Sequence, residues 1–225
     1  MKKSVIIFSF LVSFSAIAQA QFSQFHAGLV FPSGKFADGD EKRENMFSGK
    51  GFAAMGFTVG YKYYSPLDTE NLSWLFGIEA FYNGVNSDMK DYVENQGWKD
   101  ITFPKYLNFP LTVGFNYAIP IQENVKIYGE AAIGGNYSMI TKYTRGERSG
   151  YQDMVTKFSS AFGFACAFEG GIFINEKYTI ALKYNNLGAY KYKWQTKYTT
   201  SPTVKEKYDK KLPVTNLSLC VGILF

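Results

Sequence analysis

The chain has 225 residues, a formal net charge of +5, 18% aromatic residues and 21 glycines. This mixture favours strands in tight contact and excludes a disordered chain or a helical bundle, and the charge is too small to suggest a nucleic-acid partner. A single histidine, His26, removes most zinc sites and most histidine-based catalysis.

The first segment, MKKSVIIFSFLVSFSAIAQA, sets Lys2 and Lys3 before an apolar run from Val5 to Ile17, then the small-residue stretch Ala18-Gln19-Ala20. That order is the pattern of a cleaved secretory signal peptide over residues 1–20, leaving 21–225 as one domain with a full core. The apolar run falls short of the ~20 residues of a spanning helix. No Cys follows the cleavage site, so a lipid anchor is not expected there.

Eight segments then alternate apolar and polar residues with period two, which predicts strands with one apolar face. They cover 22–31 (Phe25, Ala27, Leu29, Phe31), 52–64 (Met55, Phe57, Val59, Tyr61), 72–83 (Trp74, Phe76, Ile78) and 106–119 (Leu107, Phe109, Leu111, Val113). After them come 125–141, 158–174 (Phe162, Phe164, Phe168), 178–190 and 214–225. In the last, Leu217, Leu219, Val221, Ile223 and Phe225 share one parity against Asn216, Ser218, Cys220 and Gly222.

The connectors alternate short and long. SPLDTEN (65–71), PIQEN (120–124) and NEK (175–177) are short and rich in turn formers, while 32–51, 84–101, 142–157 and 191–213 are long. Short turns at one rim, long loops at the other and both termini on the short-turn side predict an all-β fold: an eight-stranded antiparallel up-and-down transmembrane β-barrel. The segments are long enough for tilted membrane strands, which need ~9–11 residues. Closure satisfies every backbone group in lipid.

With this loop asymmetry and the C-terminal LSLCVGILF, residues 21–225 resemble the small outer-membrane β-barrel proteins, the porin-like family with an eight-stranded barrel of OmpA/OmpX type. The resemblance implies the outer membrane of a Gram-negative envelope, surrounded by membrane lipid and lipopolysaccharide, and a monomer. It also implies that Leu217, Leu219, Val221, Ile223 and Phe225 form the signal read by the barrel-assembly machinery. It implies little about activity, since such barrels serve as adhesins, anchors, secretion helpers, pores and lipid-modifying enzymes.

Aromatic placement fits two membrane interfaces: Tyr61, Tyr63, Trp74, Tyr117 and Tyr178 near the short turns, Tyr82, Tyr106, Tyr137 and Tyr190 near the long loops. The rival architecture is a soluble lipocalin-like barrel, which would turn its apolar parity inward. Lys62, Glu79, Glu130, Glu169 and Lys183 lie on the opposite parity among Gly and Asn, and they suit a polar interior instead.

Those five charges fall at similar depth and form the main candidate site. One reading is an ion gate or a catalytic carboxylate pair. The expected one is a compensating network that fills a lumen only about as wide as its side chains. His26 lies on the inward parity near the short-turn end and is expected to be structural.

The last long loop, KYKWQTKYTTSPTVKEKYDKK, holds Lys191, Lys193, Lys197, Lys205, Lys207, Lys210 and Lys211 against Glu206 and Asp209, interleaved with Tyr190, Tyr192, Trp194, Tyr198 and Tyr208. Two readings stand side by side: a solvated loop extending the wall, or a contact surface for lipopolysaccharide phosphates, a surface glycan or a protein. Asp38 and Asp40 have calcium-like spacing without the later Gly and Glu of an EF-hand loop, and no cofactor is expected. Cys166 and Cys220 fall on opposite parities, which predicts two free thiols.

The resulting expectation is a non-enzymatic barrel acting in envelope structure, surface interaction or adhesion through four long loops. A small-solute pore and a lipid-modifying outer-membrane enzyme are the alternatives.

Overall fold

Segments with one apolar face and a strict period of two can stand in lipid only by closing on themselves. The computed structural model describes residues 22–38, 50–146, 153–198, 204–207 (backbone) and 211–225, and it shows that closure. Strands β1 (Phe22–Pro32), β2 (Ala53–Pro66), β3 (Leu72–Val85), β4 (Tyr106–Gln122), β5 (Val125–Ile140), β8 (Ala161–Ile174), β9 (Tyr178–Tyr190) and β12 (Leu212–Leu224) form a barrel in the order β1-β12-β9-β8-β5-β4-β3-β2. The seam pairs β1 with β12 from Gln24↔Leu224 to Pro32↔Asn216. Ser23 N donates to Phe225 O at 2.8 Å, and Phe225 N donates back to Ser23 O at 2.9 Å.

The apolar parity faces outward. Phe25, Leu29, Phe57, Ile78, Val113, Ile133, Phe164, Leu182 and Val221 are all exposed, while Lys62, Glu130 and Asn116 are buried inside. A soluble barrel would reverse this arrangement, and an apolar girdle of this extent is what acyl chains solvate. Trp74, Tyr117 and Tyr178 are exposed at the short-turn rim, and Tyr137 is exposed near the long loops. Tyr106 and Tyr190 depart from the expected belt and point inward, 3% and 2% exposed. Tyr106 shares the inner parity of Asn108. Tyr190 follows Gly188, whose φ is +100°, where the β9–β12 register slips between Thr215 and Pro213. The extra residue turns the following part of the chain over.

The long connectors are more ordered than their composition suggests. Helix α1 (Ser87–Asn95) lies in the segment read as loop 84–101; Asn86 caps it by accepting from Met89 N, and Met89 and Val93 are buried. Nine residues carry too few turns for a helical period to stand out. Four short strands, β6 (Tyr143–Arg145), β7 (Met154–Phe158), β10 (Lys193–Tyr198) and β11 (Val204–Lys207), form a second sheet in the order β11-β10-β7-β6. Beneath them Phe36, Phe52, Met89, Trp98, Leu187 and Tyr192 join one apolar cluster that caps the long-loop mouth.

Both cysteines are free. Cys220 is buried in the lumen at 3% exposure, and Cys166 alternates with the inward Ala165 and Ala167 on the wall that carries Phe164 and Phe168. In bilayers, Cys166 should react with a lipid-soluble maleimide while Cys220 resists both lipid-soluble and aqueous reagents. Labelling of Cys220 in the folded protein, followed by mass spectrometry, would show that the parity of β12 is misassigned.

Candidate functional site

Every second residue of each barrel strand points into a space that only side chains can fill. At the short-turn end the filling is apolar and aromatic. Phe22 stacks on Tyr64 at 4.4 Å between ring centroids, and Tyr128 stacks on Phe173 at 4.2 Å. Leu75, Ala132 and Leu224 close the space around them.

The charged layer lies above. Glu130 of β5 and Glu169 of β8 are direct cross-strand partners, and Glu169 in turn faces Lys183 of β9. Two carboxylates side by side repel, and Lys62 reaches across from β2 to resolve this. Its Nζ donates to Glu130 Oε2 and to Glu169 Oε2, each at 2.6 Å. The outer oxygens are also engaged: Tyr64 donates to Glu130 Oε1 at 2.7 Å, Asn116 to the same atom at 3.1 Å, and Tyr128 to Glu169 Oε1 at 2.7 Å.

A second centre adjoins the first. Lys183 donates to Glu79 Oε1 and lies 3.9 Å from Glu169 Oε2. His26 Nε2 stands 3.5 Å from Glu79 Oε2. Register explains that approach, because His26, Gly60 and Glu79 form one row across β1, β2 and β3. A Cβ on Gly60 would come within 2.5 Å of Glu79 Cγ and 2.6 Å of His26 Cε1. Glycine at 60 is therefore what lets the two side chains meet.

Lys62, Glu79, Glu130, Glu169, Lys183 and His26 are each at most 7% exposed. The void among the five Lys and Glu side chains is about 10 Å³, at or below the ~10–15 Å³ that one water requires. Above the charges sits a layer of buried amides, in which Asn136 donates to Asn108 at 2.9 Å, and the apolar cap follows. The carboxylates of Glu130 and Glu169 are bonded on both oxygens, so with Lys62 they act as an ionic clasp joining β2, β5 and β8, while Glu79 Oε2 beside them has no hydrogen-bond partner.

The five charges named from sequence parity thus meet in one layer. His26, expected nearer the rim, joins them. Tyr64, Tyr128 and Asn116 complete the layer; all three fall on the inward parity, but parity alone does not single out Tyr64 and Tyr128 as partners of the charges. In the basic loop, Lys191, Lys193, Lys197 and Lys211 are exposed. Lys205 and Lys207 lie in β11, and Lys210 lies outside the described residues. The expectation of aromatics interleaved at that surface is corrected: Tyr190 and Tyr192 are buried and Trp194 packs against the cap cluster, because alternation sends every second residue inward. Leu217, Leu219, Val221, Ile223 and Phe225 all face outward, with Phe225 stacked on Phe25 at 5.5 Å. Asp40 lies outside the described residues, and no group of metal-ligating side chains occurs among the described ones.

Lys62→Met leaves Glu130 and Glu169 facing each other, and it should destabilise the barrel by ~3–5 kcal/mol in urea titrations of heat-modifiable migration. Glu130→Gln in the same chain should recover part of that loss, because one of the two opposed charges is then gone. A loss under ~1 kcal/mol for Lys62→Met would mean that water, not the clasp, solvates these groups.

Among curated proteins none matches the sequence. Solved structures share its fold at low identity. Neisserial surface protein A aligns with a TM-score of 0.54 at 12% identity, covering 92% of this chain and 96% of that one. A major outer membrane protein from Thermus thermophilus gives 0.55 at 10% identity, covering 92% and 100%. OprG from Pseudomonas aeruginosa gives 0.51 at 12% identity, covering 91% and 95%. The family model described as "Outer membrane protein beta-barrel domain" matches residues 4–220. With that match over nearly its whole length, and with a closed barrel whose apolar face looks outward, this chain belongs to the outer membrane protein beta-barrel family and resides in the bacterial outer membrane.

Proposed function

We propose that this chain is a non-enzymatic, closed, monomeric barrel that contributes to envelope structure and to surface interaction through its long-loop end. The observation that carries the reading is the filled lumen. An aromatic floor, an ionic clasp with about 10 Å³ of free space, an amide layer and an apolar cap follow one another along the axis, which leaves the outer surfaces to meet partners. The partners are lipid and lipopolysaccharide around the wall, and a surface glycan or protein at the cap. Against the enzymatic alternative, the single histidine of the chain is buried on the lumen side of β1 beside Glu79, whereas a lipid-modifying base would have to stand at the lipid-facing surface.

The pore alternative is tested by conductance. In planar bilayers the full-length protein should give no discrete open-channel steps, and Glu130→Gln should lower thermal stability without creating them. Regular steps from the unmodified protein would replace this reading with a small-solute pore.

Delivery to the membrane is proposed to use the C-terminal strand as the substrate of the barrel-assembly machinery. Removing Phe225 deletes an aromatic contact to Phe25 and the carbonyl that Ser23 N uses to close the seam. Cells expressing the truncated chain should accumulate protein that does not show heat-modifiable migration. Wild-type insertion of the truncated chain would contradict the role of this residue.

A further inference from the structure

The ribbon of β7 and β10 continues β8 and β9 beyond the membrane band. Ser159 and Ser160 join β7 to β8, Lys191 and Tyr192 join β9 to β10, and Ser159 N donates to Lys193 O at 2.8 Å. The two faces of this ribbon differ sharply. Met154, Thr156, Tyr192 and Thr196 are buried toward the cap, whereas Lys157, Lys191, Lys193, Gln195 and Lys197 are exposed on the other side. Gln195, in the middle of the exposed face, pairs directly with Lys157 across the ribbon, and the backbone of β11 lies along the other side of β10, with Lys207 in register with Lys193 and Lys205 with Gln195. Glu206 holds the position opposite Trp194, on the alternate parity.

Like charges directly opposite each other destabilise a sheet. Among the described residues, the positions directly paired with these lysines on this face hold Gln195 and Val155, Thr144 lies beyond Val155 on β6, and the exposed Asp153 is one carboxylate at the far end of the row. The face is therefore poised for a polyanion, and its position narrows which one. Below Lys157 on the same outer wall come Phe162 and Phe164, exposed by 76% and 64%. Below Lys191 on β9 come Tyr184 and Leu182, exposed by 41% and 53%. The lysine face and the lipid-facing band are thus one continuous surface. Lys157 stands roughly 17 Å along the strand from Phe162, at ~3.3 Å per residue, and less along the membrane normal because barrel strands tilt by ~35–45°. Lysine stems bend toward an interface while keeping the ammonium in the polar layer.

The geometry points to a binding surface for phosphate-bearing lipid head groups of the outer leaflet, formed by Lys157, Lys191, Lys193 and Lys197 on the outer wall of the β7–β10 ribbon. It deepens the surface-interaction reading above and rests on it. A soluble polymer or a protein would approach the cap from outside the cell, whereas this face looks sideways over the head groups that already surround the wall. An ammonium is a compact point charge that suits a phosphate without needing a fixed fork geometry.

The test uses full-length protein folded in zwitterionic detergent micelles and titrated with lipopolysaccharide, dephosphorylated lipopolysaccharide and heparin. Lipopolysaccharide should bind, and removing its phosphates should weaken binding at least about tenfold. The variant Lys157→Gln/Lys191→Gln/Lys193→Gln/Lys197→Gln should lose at least about tenfold for intact lipopolysaccharide while keeping wild-type heat-modifiable migration. Lys126→Gln, at the opposite rim, should bind as wild type does. Unchanged affinity in the fourfold variant, or equal affinity for the dephosphorylated form, overturns the assignment. Heparin binding through these lysines without lipopolysaccharide binding also overturns it and gives the face to a soluble polyanion. None of these outcomes bears on conductance, so the closed-barrel reading and this assignment fail separately.

Discussion

Lys62 places one ammonium between two carboxylates that the sheet register forces together. Glu130 and Glu169 oppose each other on β5 and β8, and without a cation between them that pairing would push the wall apart. Lys62 comes from β2, which neighbours neither strand in the barrel order, so its two 2.6 Å bonds cross the lumen and tie distant parts of the sheet together. A buried ion pair adds little net stability against a well-packed apolar core, but a broken one is severely destabilising. The clasp therefore acts mainly through specificity: a one-residue slip of β2, β5 or β8 would turn a charge into lipid.

The remaining filling is arranged around that layer. Aromatic stacks beneath it and amides above it satisfy the space that an eight-stranded barrel leaves. Glycines are placed where two large polar groups must approach, as Gly60 is between His26 and Glu79. Tyr64 belongs to both regimes, since its ring stacks on Phe22 and its hydroxyl donates to Glu130. The floor and the clasp are thus built from shared residues, which couples closure of the seam at β1 to the geometry of the charges.

Much of this architecture is legible from alternation alone. Parity assigns Leu219 and Val221 to lipid and Lys62 and Glu169 to the lumen, and the turn composition orders the hairpins. Alternation has no memory across an irregularity, however. The slip beside Gly188 reverses the face of Tyr190 and of the ribbon after it, so a loop read as basic and aromatic is in fact basic outside and aromatic inside. The helix at Ser87–Asn95 was hidden for a different reason: its stability comes from packing Met89 and Val93 against residues distant in sequence. The cross-lumen partners of Lys62 were equally out of reach, because parity gives the side of a wall but not the shear that sets which heights meet.

The two ends of the molecule consequently do different work. The short-turn end carries the seam and the aromatic floor. The long-loop end carries a helix, a second sheet and a lysine face outside the lumen. The whole arrangement rests on a dry Lys62 ammonium paired with both Glu130 and Glu169, and solid-state NMR of the protein in bilayers tests that most directly. Selectively labelled lysine should show the Lys62 ammonium coupled to the carboxyl carbons of both Glu130 and Glu169, with protons that exchange slowly with water. A Lys62 ammonium that exchanges as fast as that of the solvent-exposed Lys193, without coupling to either glutamate, would contradict the account.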